Sequence, residues 1–347
     1  MDKAIKEYVN RFGIPRIIIV AFLLSLLVMA IMLEIPINDL LSDALVRTGM
    51  NGILVLAMVP GILAGIGLNF GIPIGIVCGL IGGLLAIEFD LYGFTALFTA
   101  VAISIPLSLV AGYFYGLLLN RVKGSEMTIA TYVGFSIVSL MSIGWLILPF
   151  TSEDMRWPIG TGLRTTITLQ GRYERILNEW GAFELFNVKI PTGLLLFMLF
   201  FCFLVWAFLR SRTGTAMIAA GDSPKFATAS GINVNRMRVV GTMLSTALSA
   251  VGIVIYSQSF GFIQLYQAPM FMSFAAVAAI LIGGATIKKA NIANVIIGAF
   301  LFQSLLVISL PVANKVLEDV SSLAEIARIV ISNGIILYAL TQIGGGE

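Results

Sequence analysis

The chain has 347 residues, 59% hydrophobic and 11% charged, with a net charge of +3 and a mean hydropathy of +1.00. Soluble domains carry about a quarter charged residues, so this composition excludes a water-facing fold and makes the bilayer its solvent. Histidine is absent, which removes the commonest general base and metal ligand and weighs against catalysis.

Ten membrane segments are predicted: 17–33, 52–68, 72–87, 95–119, 127–148, 191–209, 239–258, 273–287, 292–310 and 326–343. About 20 helical residues cross roughly 30 Å of hydrocarbon. The first segment follows Lys3, Lys6, Arg11 and Arg16 and precedes Glu34-Ile35-Pro36. With no small-residue cleavage pattern, it is expected to be retained as a span.

Between the second and third spans, Asn69 and Phe70 either meet solute on unwound backbone or only make a tight turn. The segments 72–87 and 273–287 are short and glycine-rich, which is a pointer to broken helices near a transport site. Gly61/Gly65 and Gly79/Gly83 have the spacing of close helix packing. Cys78 and Cys202 lie in apolar runs and offer neither a disulfide framework nor a metal site.

In the fifth span Thr128, Thr131, Tyr132, Phe135, Ser139 and Ser142 share one helical face. This face is a cavity wall for a polar solute or a packing surface between helices. No Lys, Arg, Asp or Glu stands near the middle of any predicted span. That speaks against a proton-coupled carrier and for a neutral polar solute.

The long loop 149–190 holds Arg156, Trp157, Arg164, Arg172 and Arg175 among acidic residues. Thr165–Leu169 has strand character, and Arg172–Trp180 is expected to be helical. The loop is either a docking surface for a soluble partner, using arginine and tryptophan as anchors, or a solvated cap.

Residues 213–238 form a polar, basic segment between two apolar spans. Asp222 or Ser223 can cap a helix that Pro224 begins, and Gly231 can end it in the left-handed region with Ile232 packing back. The alternative is a solvated interhelical loop.

With the N-terminus inside, Lys and Arg divide 13 inside to 8 outside, and five of the eight lie in the long loop. Such loops carry little weight in the positive-inside rule, so both termini and 213–238 are placed in the cytoplasm. Spans 2–5 and 7–10 then enter from opposite faces, the arithmetic of an inverted repeat linked by span 6.

Ala227-Thr228-Ala229-Ser230-Gly231-Ile232-Asn233-Val234-Asn235-Arg236, with Arg212-Thr213-Gly214 and Gly221-Asp222 upstream, resembles the cytoplasmic coupling segment of ATP-binding-cassette importer permeases. Ala275–Gly284 looks like the Gly-Gly span of the group that handles ribose and other simple sugars, with relatives for nucleosides and branched-chain amino acids. The chain departs from that pattern at Thr286-Ile287-Lys288-Lys289-Ala290-Asn291, where the family has a glycine-rich turn, and in the long loop 149–190.

The resemblance implies an all-α integral membrane fold, with 1–347 as one transmembrane permease domain, 149–190 as its extracytoplasmic loop and 213–238 as its coupling segment. Gly221, Asp222, Pro224, Ala227, Ser230, Gly231, Ile232 and Asn233 are then the residues that meet an ATPase. The chain has no GxxxxGK[ST] phosphate loop, so ATP-Mg is expected on separate ATPase subunits and no cofactor on this chain. A second permease subunit, a solute-binding protein and the lipid of a bacterial or archaeal cytoplasmic membrane complete the expected partners; nucleic acid is not among them. The candidate solute path is Asn69, Phe70, Thr128, Tyr132, Phe135 and Ser139. A sugar or nucleoside is expected as solute, and the alternative function is a stand-alone secondary carrier.

Overall fold

The computed structural model describes residues 14–316, 330, 333 and 334. Among these, six helices are long and apolar enough to cross a membrane and three shorter apolar helices accompany them. The predicted span 326–343 lies outside the described residues, so the count of ten is not reached within them.

In chain order the first helices are α1 (Ile14–Met32), α2 (Ile37–Leu56), α3 (Met58–Leu63), α4 (Ile72–Glu88), α5 (Gly93–Arg121) and α6 (Glu126–Ile147). The loop that follows holds β1 (Thr166–Thr168), α7 (Ile176–Glu179), β2 (Phe183–Leu185) and β3 (Val188–Ile190). Then come α8 (Thr192–Arg210), α9 (Arg212–Asp222), α10 (Pro224–Ala229), α11 (Val234–Phe260) and β4 (Phe262–Gln264). A 3-10 turn at Ala268–Phe271, α12 (Met272–Ile282) and α13 (Ile292–Val316) follow.

Contacts at the helix ends fix the direction of each crossing. Ser42 near the start of α2 accepts from Lys189 of β3, while Gly65, past α3, lies against Gly221 of α9. Glu88 ends α4 on Thr151, and Gly93 begins α5 by donating to the Arg172 carbonyl. Asn120 of α5 meets Asn235 of α11, and the far end of α11 donates from Gly261 to Ser257 beside Glu174. One end of the molecule therefore carries 149–190 and the other carries α9 and α10. The set α2–α3, α4, α5 recurs as α11, α12, α13 with every direction reversed.

Two predicted boundaries are corrected. The second span begins at Ile37, not 52, and runs as α2 and α3 to Leu63. Asp39, Asp43, Arg47 and Asn51 recur every four residues, so they lower the local hydropathy yet collect on one winding face. Leu40, Ala44, Thr48 and Met50 beside them are buried. Arg47, exposed on that face, thus lies within the span as the structure bounds it, whereas no charge is expected near the middle of any span as predicted. The eighth span ends at Ile282, because Gly284 is left-handed (φ 91°) and 286–291 form a tight turn. In that turn Thr286 Oγ1 accepts from the Lys289 amide at 3.0 Å, and Asn291 and Asn294 cap each other reciprocally at 2.9 Å.

The core sits on α2–α3 and α11, whose best apolar windows are both 78% buried, against 33% for α5, 28% for α8 and 22% for α6. Small residues bring α4 and α5 onto α11. A Cβ at Gly75 would meet the Thr246 carbonyl at 2.2 Å, and one at Gly112 would meet Thr246 Oγ1 at 2.0 Å. Without a hydrophobic drive between helices in lipid, this close backbone approach is the main source of packing energy.

Candidate functional site

A cavity of about 450 Å³ lies between α2, α11, β4, α12 and α13. Its polar wall is Arg47, Asn51, Tyr256, Gln264 and Gln303, and Leu54, Phe271, Phe302 and Leu306 supply much of the rest. Arg47 is ten residues into α2, about 15 Å along the helix axis. The Asn51 side-chain amide donates to the Arg47 carbonyl at 2.9 Å, which fixes its NH₂ and leaves its oxygen as an acceptor. Gln264 belongs to β4, which pairs antiparallel with β1 (Thr166 opposite Gln264), so the loop 149–190 closes over this region. A few polar groups converging in a mostly apolar pocket are the usual form of a small-molecule site.

The predicted path residues do not form this cavity. Asn69 is 1% exposed. Its NH₂ donates to Ser245 Oγ at 2.7 Å, and its oxygen accepts from the Gly71 amide and the Tyr115 hydroxyl, both at 2.9 Å. Ser245 in turn donates to the Ala57 carbonyl at 2.6 Å, at the break between α2 and α3. Asn69 therefore satisfies backbone and hydroxyl groups left over by the broken helix, as a membrane interior requires. Its side chain makes a closed network within the protein.

Phe70 and Phe135 are brought together. Phe70 packs on Phe274 (5.4 Å between centroids), and Phe135 packs on Phe274 (6.2 Å) and Phe271 (6.5 Å). Phe271 also lines the cavity, so this cluster is the wall between the cavity and α6. Thr128, Tyr132 and Ser139 are exposed on the outer face of α6. They are not among the residues that line the cavity. Thr131 and Ser142 donate back to carbonyls of their own helix.

The loop 149–190 is anchored by Arg172, whose side chain is 10% exposed. Its guanidinium pairs with Asp154 at 2.6 Å and Asp90 at 3.2 Å and stacks over Tyr92 at 5.1 Å. The Tyr92 hydroxyl donates to Asp90, which raises its pKa above the usual range. Arg164 is turned inward to the Arg156 carbonyl at 2.8 Å. Burial raises the Tyr173 pKa well above normal. The predicted helix over Arg172–Trp180 shrinks to Ile176–Glu179, since Arg175 is left-handed (φ 50°). Arg156, Trp157 and Arg175 remain exposed.

At the opposite end α9 starts on Ser211, whose side chain accepts from the Gly214 amide. Proline begins α10, and Gly231 (φ 78°) ends it: the Ile232 amide donates to the Ala227 carbonyl and the Gly231 amide to that of Thr228. This is the six-to-one and five-to-two pattern of a Schellman stop. Asn233 caps α11 by accepting from the Arg236 amide. Of the predicted coupling residues, Asp222, Pro224, Ser230, Gly231 and Asn233 are exposed. Ala227 is fully buried and Gly221 is packed inward, so both hold the segment in place. Phe226, 67% exposed on α10, is the large apolar side chain presented there. Lys288 and Lys289 share a cleft with Leu63, Ile218 and Asp222, which extends this basic face.

Arg238 ties the same end to the core. Its guanidinium donates to Glu126 of α6, to Asn120 of α5 at 3.0 Å and to the Gly65 carbonyl at 3.0 Å.

Sequence reading missed Arg47, Asn51, Tyr256, Gln264 and Gln303. The four-residue spacing from Asp39 to Asn51 was the available signal for two of them, and Gln303, which with Ser304 makes the polar pair in Phe300–Ile308, was another.

Long apolar helices that cross in alternating directions around a buried core define a multi-pass membrane protein. The chain belongs to the family described as branched-chain amino acid transport system / permease component, whose model matches residues 40–339. That family consists of permease components of ATP-binding-cassette transporters for sugars and amino acids. No curated protein matches the chain.

Proposed function

We propose that this chain is the path-forming subunit of an ATP-driven importer, drawing its drive from separate ATPase subunits that dock on α9, α10 and the 286–291 turn. The observation that carries this reading is the contact of Gly221 with Gly65. A Cβ on Gly221 would lie 2.1 Å from the Leu63 carbonyl, so α9 bears directly on the end of the α2–α3 crossing, whose other half lines the cavity. A displacement of α9 and α10 is thereby carried toward the cavity wall through the α2–α3 crossing.

In this reading the α9–α10 end is cytoplasmic, as the basic-residue count supports, and both termini lie on that side of a bacterial or archaeal cytoplasmic membrane. A second permease subunit covers the exposed face of α6, and a solute-binding protein delivers to the loop 149–190 at Arg156, Trp157 and Arg175. The solute is small and polar: the cavity is of a size for a simple sugar, a nucleoside or an amino acid.

The test is co-purification followed by uptake in proteoliposomes. An ATPase chain should accompany the tagged protein, and uptake should require internal ATP. Uptake without ATP that collapses with an ion gradient would establish a stand-alone carrier instead.

A further inference from the structure

We propose that the corner where α8 turns into α9 holds an anionic phospholipid from the leaflet on that side of the membrane. The site is separate from the solute cavity and does not depend on the permease reading. Leu199, Phe203, Trp206 and Arg210 recur every three or four residues along α8, so they share one face, and all four are exposed. That face runs from aliphatic to aromatic to charged as the span ends. Phe203 stacks on Trp206 with 5.7 Å between centroids, and the Arg210 guanidinium lies 4.2 Å from the centre of the Trp206 ring. Tryptophan belongs at the depth of the lipid headgroups, and its attraction for a guanidinium keeps the Arg210 charge there.

Arg210 also lines a cavity of about 420 Å³ with Arg212, Thr215, Ala216, Ala219 and Ile232. No Asp or Glu lines it, and among the described residues neither arginine forms an ion pair. Asp222, the acid of α9, stands at the other end of that helix, about 15 Å along the axis from Arg212. The Thr215 hydroxyl donates to the Ser211 carbonyl at 2.9 Å, which leaves its oxygen as an acceptor. Two guanidinium groups without a counter-charge suit a phosphodiester, which each can meet in two parallel hydrogen bonds. A hydroxyl on the headgroup suits Thr215. A choline or ethanolamine headgroup would set its own cation against the second arginine, so the corner selects a lipid with net negative charge. A soluble phosphate or an acidic protein surface would fill the cavity and leave the stripe above it unused. A lipid uses both: its phosphate in the cavity and its acyl chain along Trp206, Phe203 and Leu199. Basic pockets at the ends of crossings take anionic headgroups in this way.

The test is native mass spectrometry of the full chain in detergent with two acyl-matched lipids, dioleoyl-phosphatidylglycerol and dioleoyl-phosphatidylcholine. Phosphatidylglycerol should be retained about fivefold or more tightly than phosphatidylcholine. Arg210→Gln and Arg212→Gln should each weaken that retention by about fivefold, the effect of one basic residue at an anionic bilayer surface. Both side chains are exposed, so both variants should unfold at the wild-type temperature. Arg121→Gln, which removes an exposed charge from the end of α5 on the same side, should change nothing. Millimolar inorganic phosphate should not displace the lipid. Equal retention of the two lipids by the wild-type chain would overturn the proposal without any variant. Undiminished retention with both arginines replaced, or an equal loss in Arg121→Gln, would do the same. Displacement by inorganic phosphate would make the pocket a site for a soluble anion. Unchanged lipid retention with loss of a co-purifying ATPase in the double variant would assign the arginines to protein docking instead.

Discussion

Gly221 of α9 and Gly65 of the segment after α3 lie backbone against backbone. A Cβ on Gly65 would stand 2.9 Å from the Gly221 Cα, and one on Gly221 would stand 2.7 Å from the Gly65 amide nitrogen. Neither obstacle is a flexible side chain, so neither can step aside. Gly65 also holds φ at 73°, a region open to glycine and strained for most other residues.

Gly221→Val should therefore push α9 off the α2–α3 end. The expected cost is about 1–3 kcal/mol of stability, the usual penalty for overpacking a tight contact. ATP-driven uptake should fall much further than stability does, because the contact is the proposed transmission point. Uptake per folded molecule, with folding scored by thermal unfolding in detergent, checks this. Wild-type uptake in Gly221→Val would remove the contact from the mechanism.

Asn69→Leu separates a structural amide from a solute contact. The substitution leaves the Ser245 and Tyr115 hydroxyls and the Gly71 amide short of a partner in a site with 1% exposure. Each buried group so abandoned costs about 1–3 kcal/mol. The midpoint of thermal unfolding should drop, while the concentration dependence of uptake by the surviving protein stays as it was. A change in apparent KM at unchanged stability would return Asn69 to the solute path.

Most of the crossings were legible because long apolar runs need no tertiary information. So was the stop at Gly231, where local chemistry fixes the backbone. The start of α2 was hidden, because hydropathy averages over a window and Asp39, Asp43, Arg47 and Asn51 dilute it. Their four-residue spacing puts them on one face, but only packing shows that Leu40 and Ala44 are buried beside them. The cavity was hidden for a further reason: its polar wall draws on α2, α11, β4 and α13, which are far apart in the chain. The hydroxyl face of α6 was visible, but periodicity states which residues share a face and not what the face meets.

Two loop substitutions should part stability from recognition. Arg172→Ala removes the pair to Asp90 that pins 149–190 to the turn between α4 and α5, and the pair to Asp154 within the loop. It should lower the unfolding temperature and make the loop an easier protease target. Trp157→Ala, at a side chain 46% exposed, should leave stability unchanged within about 0.5 kcal/mol. It should weaken association with the solute-binding protein, read by co-sedimentation with proteoliposomes. Undiminished association in Trp157→Ala would move docking elsewhere on the loop.

The Arg238–Glu126 pair offers the sharpest stability test. Both side chains are nearly buried, at 10% and 13% exposure, so either one alone would be a charge out of water. Glu126→Gln should cost about 3–5 kcal/mol, the penalty for breaking such a pair by one partner. Arg238→Met should cost a similar amount, and it also frees the Gly65 carbonyl and Asn120. The double variant should be less damaged than the sum of the two, since removing both charges abolishes the uncompensated one. Chemical unfolding of the four proteins in one detergent gives the coupling directly. Additive losses would mean that the pair is screened by water and that Arg238 acts through Gly65 and Asn120 alone. A coupling of about 1 kcal/mol or more would place the ion pair itself at the joint where α6, α11 and the broken α2–α3 crossing meet.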